Sequence, residues 1–245
     1  MPHRTIKLTL EYDGTEFVGW QFQENGRSVQ ETVEKGLSQI LQEQIRVVGA
    51  GRTDSGVHAK GQVASFKTET SLNCALLVRG LNGVFPDDVA ALSAEEVAEN
   101  FNARFDARSR RYRYVIRTIP TALSRNYCWS LGYHLEPELM NQCLQGILGR
   151  HNFASFCRTD SEVAHHDCTV FAARWEQPDE SSLVFDITAD RFLHGMVRSL
   201  VGTMVDVGRG YRSVGEFGEI LDARDRRKAG MSAPAKGLYL LEVTY

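Results

Sequence analysis

The residues best suited to chemistry lie in one short run, Gly49-Ala-Gly-Arg-Thr-Asp-Ser-Gly-Val-His-Ala59. Its glycines permit backbone conformations that a Cβ would block, so the run can turn sharply and stand close to a ligand. Asp54 lies between Arg52 and His58, and cations beside a carboxylate favour its ionised form. An ionised aspartate can act as a nucleophile or a base. The alternative is a turn aspartate that bonds its own backbone two residues on, beside Gly56.

Arginine and tyrosine alternate in a second stretch. Residues 101–120 carry six arginines against one aspartate, a local charge of +5 in a chain of net charge −3. Arg111 and Arg113 suit bidentate phosphate contacts, because the guanidinium fork matches phosphate geometry. Tyr112 and Tyr114 offer stacking surfaces for unpaired bases. A solvated, charged strand is the other interpretation of this stretch.

The first run resembles a known catalytic motif. Gly51-Arg-Thr-Asp-Ser-Gly-Val-His-Ala59 is similar to that of the TruA family of tRNA pseudouridine synthases, whose single essential aspartate belongs to the Arg-Thr-Asp triplet. Three more segments resemble the family in the same order: Arg111-Tyr-Arg-Tyr114, Met196-Val-Arg198 and Ala233-Pro-Ala-Lys-Gly-Leu-Tyr-Leu240. The likeness covers nearly the whole chain, and it is far more specific than a lone glycine-rich loop.

The resemblance implies roles for the matching residues. Asp54 would be the catalytic carboxylate and Arg198 the cation that pairs with it. Tyr112 would stack on the target base and assist proton transfer, and Leu238 would help wall the uracil pocket. Periodicity alone predicts a solvent position for Arg198, because a 100° spacing puts it off the apolar helix face, beside Arg191.

The remaining predicted site residues contact the substrate. Arg52 either holds Asp54 ionised or helps to displace the target base from its stack, which a base within a helical stem must leave before chemistry. His58, Arg111 and Arg113 complete the predicted substrate-binding set, and the arginine-rich region 104–117 would bind phosphate in a salt-sensitive way.

The implied activity is isomerisation of uridine to pseudouridine at positions 38, 39 and 40 in the anticodon stem-loop of tRNA. Attack of Asp54 on C1′ and abstraction of the 2′ proton to give a glycal are both open. No cofactor is required, because bond order is redistributed within one nucleotide. No metal is expected, because the spacing of Cys157, His165, His166 and Cys168 fits none of the usual zinc pairs. The family acts as a homodimer with one tRNA spanning both subunits.

Two other classes of protein are alternatives. One is a non-catalytic RNA-binding or RNA-chaperone protein with two RRM-like halves, but the usual aromatic signature of that module is absent from both halves. The other is a hydrolase that uses Asp54 and His58, which lacks a second carboxylate or a metal site.

Periodicity predicts the elements that position these residues. The first half is expected to contain strand 5–12, a helix behind Ser28 to about residue 42, strands 45–50 and 62–67, a helix behind Ser71 over 72–81, and strand 89–94. The second is expected to contain strand 110–118, helix 137–149, a hairpin of strands 170–176 and 183–189, a helix from 191 to about 207, and strand 238–244.

This order predicts an α+β fold of two pseudo-duplicated, ferredoxin-like or RRM-like halves. We expect them to share a mostly antiparallel central sheet with a cleft between them, a common location for sites. Residues 1–104 would carry the Arg-Thr-Asp loop, and residues 105–245 the Arg/Tyr strand and the Met-Val-Arg helix.

Composition narrows the class and the compartment. With 42% hydrophobic and 24% charged residues, the chain of 245 residues has globular values, which excludes disordered and collagen-like proteins. No apolar run approaches the roughly 18 residues of a membrane span, and the first residues lack the apolar stretch of a signal peptide. Five scattered cysteines without a Cys-x-x-Cys pair fit reduced thiols. We therefore expect a cytoplasmic protein with no membrane association.

Overall fold

The computed structural model describes residues 4–159 and 164–245, which form two compact units. Unit 1 comprises the described residues up to Arg108 together with Tyr239–Tyr245, and unit 2 comprises those of Ser109–Leu238. The assignment of functional roles to residues 1–104 and 105–245 stays a prediction.

The elements follow the chain in this order: β1 (Arg4–Tyr12), α1 (Val29–Leu41), β2 (Val48–Gly49), β3 (His58–Thr68), α2 (Cys74–Val84), β4 (Val89–Val97), β5 (Ser109–Arg117), β6 (Trp129–Ser130), α3 (Pro137–Leu144), β7 (Gly149–Asn152), β8 (Asp167–Asp179), β9 (Ser182–Ala189), α4 (Met196–Gly208), α5 (Val214–Ala223) and β10 (Leu238–Thr244).

The sheet of unit 1 has the strand order β4–β1–β3, with all pairs antiparallel. The far edge of β3 pairs with β2 in antiparallel fashion and with β10 in parallel fashion, where Tyr239 lies opposite His58. The predicted order of strand, helix, two strands, helix and strand is therefore confirmed for the first half.

The sheet of unit 2 has the order β5–β9–β8–β7, again antiparallel throughout, and β6 pairs in parallel with β5. Its elements repeat the strand, helix, strand, strand, helix order of unit 1, with β6, β7 and α5 added. The predicted α+β class with mostly antiparallel pairing is confirmed.

Local sequence signals explain the best-predicted elements. In β1, Ile6, Leu8, Leu10 and Tyr12 are all buried, as strict alternation predicts for a strand with one face on a core. α1 begins at the predicted cap, because the Ser28 hydroxyl accepts the Glu31 amide at 3.3 Å.

Two predicted bounds in unit 1 are wrong. The strand expected over 45–50 is reduced to β2, since the Val47 amide donates to the Glu34 carboxylate at 3.1 Å instead of to a neighbouring strand. α2 begins behind Asn73 rather than Ser71, because the Asn73 side chain caps the first turn.

Two predicted helices in unit 2 are too long. The helix expected over 137–149 ends with α3, because the amides of Gly146 and Ile147 bond back three residues rather than four. The helix expected from 191 to about 207 begins only at α4, because Gly195 has φ +71°, outside the helical region.

α5 was absent from the predicted elements. Its N-terminus carries a complete capping box, in which the Ser213 hydroxyl accepts the Glu216 amide and the Glu216 carboxylate accepts the Ser213 amide. Three of its side chains are buried, namely Phe217, Ile220 and Leu221. No helix within residues 4–159 and 164–245 has the length and apolar character that a membrane span needs.

Candidate functional site

The loop that carries Asp54 is anchored on both sides of the carboxylate. The Thr53 carbonyl accepts the Trp20 amide at 3.0 Å, and the Gly56 amide donates to the Phe17 carbonyl at 3.3 Å. Asp54 itself is half-buried, and its carbonyl closes a turn with the Val57 amide at 3.1 Å. The aromatic segment after β1 therefore holds the backbone around this side chain.

A buried polar network lies directly beneath the loop. The hydroxyls of Tyr12 and Thr53 are 2.7 Å apart, and the Gln62 amide nitrogen lies 3.4 Å from the Tyr12 hydroxyl and 3.0 Å from the Gly51 carbonyl. Burial raises the pKa of Tyr12 to about 12, although its bonds to Thr53 and Gln62 oppose that rise. Tyr12 is therefore a neutral phenol that fixes the residue before Asp54.

Glycines outside the predicted run allow the close approach of the two segments. A Cβ on Gly19, which has φ +116°, would lie 2.7 Å from the Thr53 carbonyl oxygen, and one on Gly14 would lie 2.0 Å from that of Val57. Inside the run, Gly56 has φ +76°, whereas Gly51 has open space around it and no positive φ. The turn therefore uses the conformational freedom of Gly56, and a side chain at residue 51 would meet no steric obstacle.

His58 is a buried residue at the start of β3, only 2% exposed. Its ring stacks on Tyr239 with centroids 4.9 Å apart, and its Nδ1 accepts the Gly14 amide at 3.1 Å. The same Nδ1 lies 3.1 Å from Asp13 Oδ1. His58 ties β3 to the segment after β1.

Arg52 is exposed at the start of the same loop. Across the part of the chain that the structure describes, its guanidinium makes no ion pair, including with Asp54. Both predicted roles of Arg52 stay predictions.

In unit 2, Arg198 is the one residue of α4 that is not fully buried. Its Nε donates to the Ala233 carbonyl at 2.8 Å, and its own carbonyl accepts the Ala233 amide at 2.9 Å. These reciprocal bonds fix the direction of the guanidinium. Arg198 therefore lies off the buried face of α4, as periodicity predicts, but it is half-buried rather than fully exposed to solvent.

The segment after Ala233 brings three predicted regions of unit 2 together. The Pro234 carbonyl accepts the Tyr114 hydroxyl at 2.7 Å, and Leu238, only 5% exposed, follows at the start of β10. Burial raises the pKa of Tyr114, and the charge of Arg198 partly opposes that rise. Tyr114 is a core residue, so the prediction that it offers a stacking surface is wrong.

Tyr112 and its neighbouring arginines lie on β5. Tyr112 is 8% exposed and meets Phe192 edge to face, with centroids 5.0 Å apart. Arg113 forms a bidentate pair with Asp186 at 2.7 and 2.8 Å. Burial alone would raise the pKa of Asp186, but the bonds and charge of Arg113, aided by Arg111, lower it. A carboxylate thus offsets part of the positive charge that the sequence places here.

Within the described residues, no group of three or more His, Cys, Asp or Glu side chains is placed to hold a metal ion.

Tyr12→Phe should lower the free energy of unfolding by about 1–2 kcal/mol, because it leaves the buried Thr53 hydroxyl without its 2.7 Å partner. Denaturant unfolding measures this, with Tyr211→Phe as the control, since that phenol is 70% exposed. Equal losses in the two variants would show that the network beneath the loop contributes nothing.

Gly202→Ala should cost about 1–3 kcal/mol of unfolding free energy, because its Cβ would lie 1.8 Å from the Met231 carbonyl oxygen, a backbone atom. Gly218→Ala in α5 is the matched control, since no atom lies within 4 Å of its added Cβ. That variant should gain up to about 1 kcal/mol from helix propensity. Equal stability of the two variants would contradict the tight packing between α4 and the segment before Ala233.

Several of these supporting residues carried no sequence signal. Tyr12 was assigned only to a strand face, and Gln62 only to a strand, although both contact the loop of Asp54. Ala233, which bonds the side chain and the carbonyl of Arg198, lies 35 residues further along the chain. Contacts across such separations follow from the fold and not from local spacing.

In the comparison with known proteins, the family model and the curated relatives indicate the same family. A family model described as tRNA pseudouridine synthase matches residues 9–106 and 144–245. The tRNA pseudouridine synthase A of Clostridium acetobutylicum is 44% identical over 244 residues, which cover 99% of this chain and 100% of the relative. That of Thermoanaerobacter sp. (strain X514) is 39% identical over 244 residues, with the same coverage of 99% and 100%.

Among solved structures, a chain of "Crystal Structure of a Cbf5-Nop10-Gar1 Complex" matches with 12% identity and a TM-score of 0.34. The match covers 96% of this chain and 57% of that chain.

Proposed function

Because this chain belongs to the tRNA pseudouridine synthase family, we propose that it isomerises uridine to pseudouridine at positions 38, 39 and 40 in the anticodon stem-loop of tRNA, with Asp54 as the catalytic residue. The observation that carries the proposal is the half-buried carboxylate on a loop anchored at Thr53 and at Gly56. A carboxylate held in this way meets the substrate at little further cost in chain entropy.

The reaction exchanges one glycosidic bond for another. The N1–C1′ bond breaks, the uracil turns, and C5 bonds to C1′; the proton on C5 leaves, and N1 gains one. Asp54 acts either by attacking C1′ or by taking the 2′ proton to give a glycal, and both routes use an ionised carboxylate. The product is an isomer of the substrate, so no electrons or groups are supplied from outside.

Arg198 is the proposed cation for this carboxylate. A guanidinium whose Nε is already bonded to the Ala233 carbonyl has little freedom left in its plane, which suits it to a directed pair with a carboxylate. Arg52, which is exposed and outside any ion pair among the described residues, is the side chain proposed to occupy the space of the displaced base.

The base would be held by apolar and aromatic groups of unit 2. We assign Tyr112 to stacking on the uracil and to assisting proton transfer, and Leu238 to the wall of the pocket. Arg111 and Arg113 are assigned to phosphate, with Asp186 fixing the guanidinium of Arg113. His58 serves the site through the loop that it anchors.

We further propose that the protein acts as a cytoplasmic homodimer that binds one tRNA across both subunits. A chain of net charge −3 gains positive surface for an anionic substrate by such pairing. Light scattering after gel filtration gives the mass, and a monomer at all concentrations that support turnover would rule out the dimer.

The experiment for the positions uses unmodified tRNA transcripts with a single uridine at 38, 39 or 40. Pseudouridine is mapped by a base-specific adduct that stops primer extension. We expect stops at each of the three positions and none at uridines elsewhere. Modification outside the anticodon stem-loop alone would reject the site assignment while leaving the reaction class intact.

A further inference from the structure

An exposed aromatic ring that has no predicted role lies on a short turn of unit 1. Phe105 is 78% exposed, and the guanidinium carbon of Arg104 lies 5.7 Å from the centre of its ring. A large apolar side chain in this position gains nothing from folding by itself, because its surface stays in water. Single exposed apolar side chains are common on protein surfaces, so a role for this ring depends on what surrounds it.

The turn is rigid. The Asn102 side-chain oxygen accepts the amides of Arg104 at 2.9 Å and Phe105 at 3.2 Å. The Asp106 carboxylate accepts the Asn102 amide at 2.8 Å, and the Asp106 amide donates back to the Asn102 carbonyl at 3.0 Å. Phe105 is thus presented by a closed ring of bonds rather than by a loose loop tip.

The same turn is built onto the base of the Asp54 loop. Ala103 is fully buried and packs in one cluster with Ala50 and Val63. Its amide donates to the Ser65 hydroxyl at 3.0 Å, and its carbonyl accepts the Tyr245 hydroxyl at 2.9 Å. Ala50 precedes Asp54 by only four residues, so the chain places the Asp54 Cα at most about 14 Å further on.

The chemistry of this surface points to nucleic acid. Arg104 and Arg108 are exposed one and three residues from Phe105 along the chain, and Arg52 is exposed on the Asp54 loop. An aromatic face next to guanidinium groups stacks on an unpaired base while the cations bind its phosphates.

We propose that Phe105 and Arg104 form a second RNA contact beside the Asp54 loop, in which Phe105 stacks on an unpaired base next to the target uridine and Arg104 binds the adjoining phosphate. This contact rests on the proposed function and refines it. Both are positioning residues, which hold the stem-loop in register while the target base is out of its stack.

The test compares Phe105→Ala, Phe105→Trp and Phe171→Ala. Phe171 is the control, since it is 56% exposed on β8 in unit 2. With unmodified tRNA, Phe105→Ala should raise Kd and KM roughly tenfold, the value of one lost base stack of about 1.4 kcal/mol. Phe105→Trp should restore both constants, and Phe171→Ala should match wild type.

Two results would overturn the contact. One is that Phe105→Ala leaves Kd and KM unchanged. The other is that Phe105→Ala has a lower mass by light scattering but an unchanged affinity for tRNA, which would assign Phe105 to association between protein chains. Wild-type turnover in the same assay separates the two proposals. If the wild type turns over and Phe105→Ala behaves like it, only this contact is rejected. If the wild type binds tRNA without turnover, the proposed isomerisation is rejected.

Discussion

Asp54→Asn should abolish turnover while tRNA affinity stays within about twofold of wild type. The amide has nearly the size of the carboxylate, so the loop bonds at Thr53 and Gly56 are kept. It lacks the charge and the nucleophilicity that either route to pseudouridine requires. Removal of a sole nucleophile lowers kcat by roughly 10⁴-fold or more, and single-turnover kinetics with saturating enzyme would measure the loss.

The matched control is Asp87→Asn, which makes the same chemical change at an exposed position of unit 1. Asp87→Asn should keep the wild-type rate. If Asp54→Asn retained even a tenth of that rate, the carboxylate would not be the catalytic group, and the Arg-Thr-Asp loop would be a structural turn.

Arg198→Lys should slow turnover by about 10²–10³-fold with little change in KM. The ammonium keeps the charge, but it has no Nε to bond the Ala233 carbonyl and no planar fork to direct at a carboxylate. A loss of this size is that of one directed electrostatic contact in an active site. Rates should be measured at matched folding, because the lost bond to Ala233 also costs stability.

Arg224→Lys is the comparison for this change, since Arg224 is exposed just after α5. It should leave both rate and stability unchanged. A fully active Arg198→Lys would show that a cation is needed but not a guanidinium, and that the Ala233 contact is only structural.

Strands whose burial alternates were predicted well. β5 has Tyr112, Tyr114 and Ile116 buried, in the alternation expected of a sheet with one face on the core. β10 has the predicted bounds, Leu238–Thr244. In both segments the hydrophobic period agrees with the observed burial, so the local sequence is enough to predict the strand.

Helix limits were predicted less well because backbone conformation decides them. Leu193 continues the apolar period of α4, but Gly195 lies in the left-handed region and starts the helix after it. The capping pair Ser213 and Glu216 marks the start of α5 in the sequence, but hydrophobic periodicity alone does not use it. β2 is short for a tertiary reason, the bond from Val47 to Glu34, which no local pattern contains.

The residues of the candidate site also fall into two groups, those that a local motif predicts and those that it does not. Asp54 and Arg198 are predicted because each lies in a short motif that resembles the family. Tyr12, Gln62 and Ala233 were not, because their contacts with the Asp54 loop and with Arg198 join segments 11 to 41 residues apart. Positioning residues of this kind depend on strand register and helix packing, which one sequence does not specify residue by residue.

The most direct test of the proposed reaction is tritium release from unmodified tRNA labelled at uridine C5, since the C5 proton must leave when C5 bonds to C1′. Wild type should release tritium in step with pseudouridine formation, and Asp54→Asn should release none while still binding the tRNA. Binding without release by wild type would contradict the isomerisation and favour a non-catalytic RNA-binding protein.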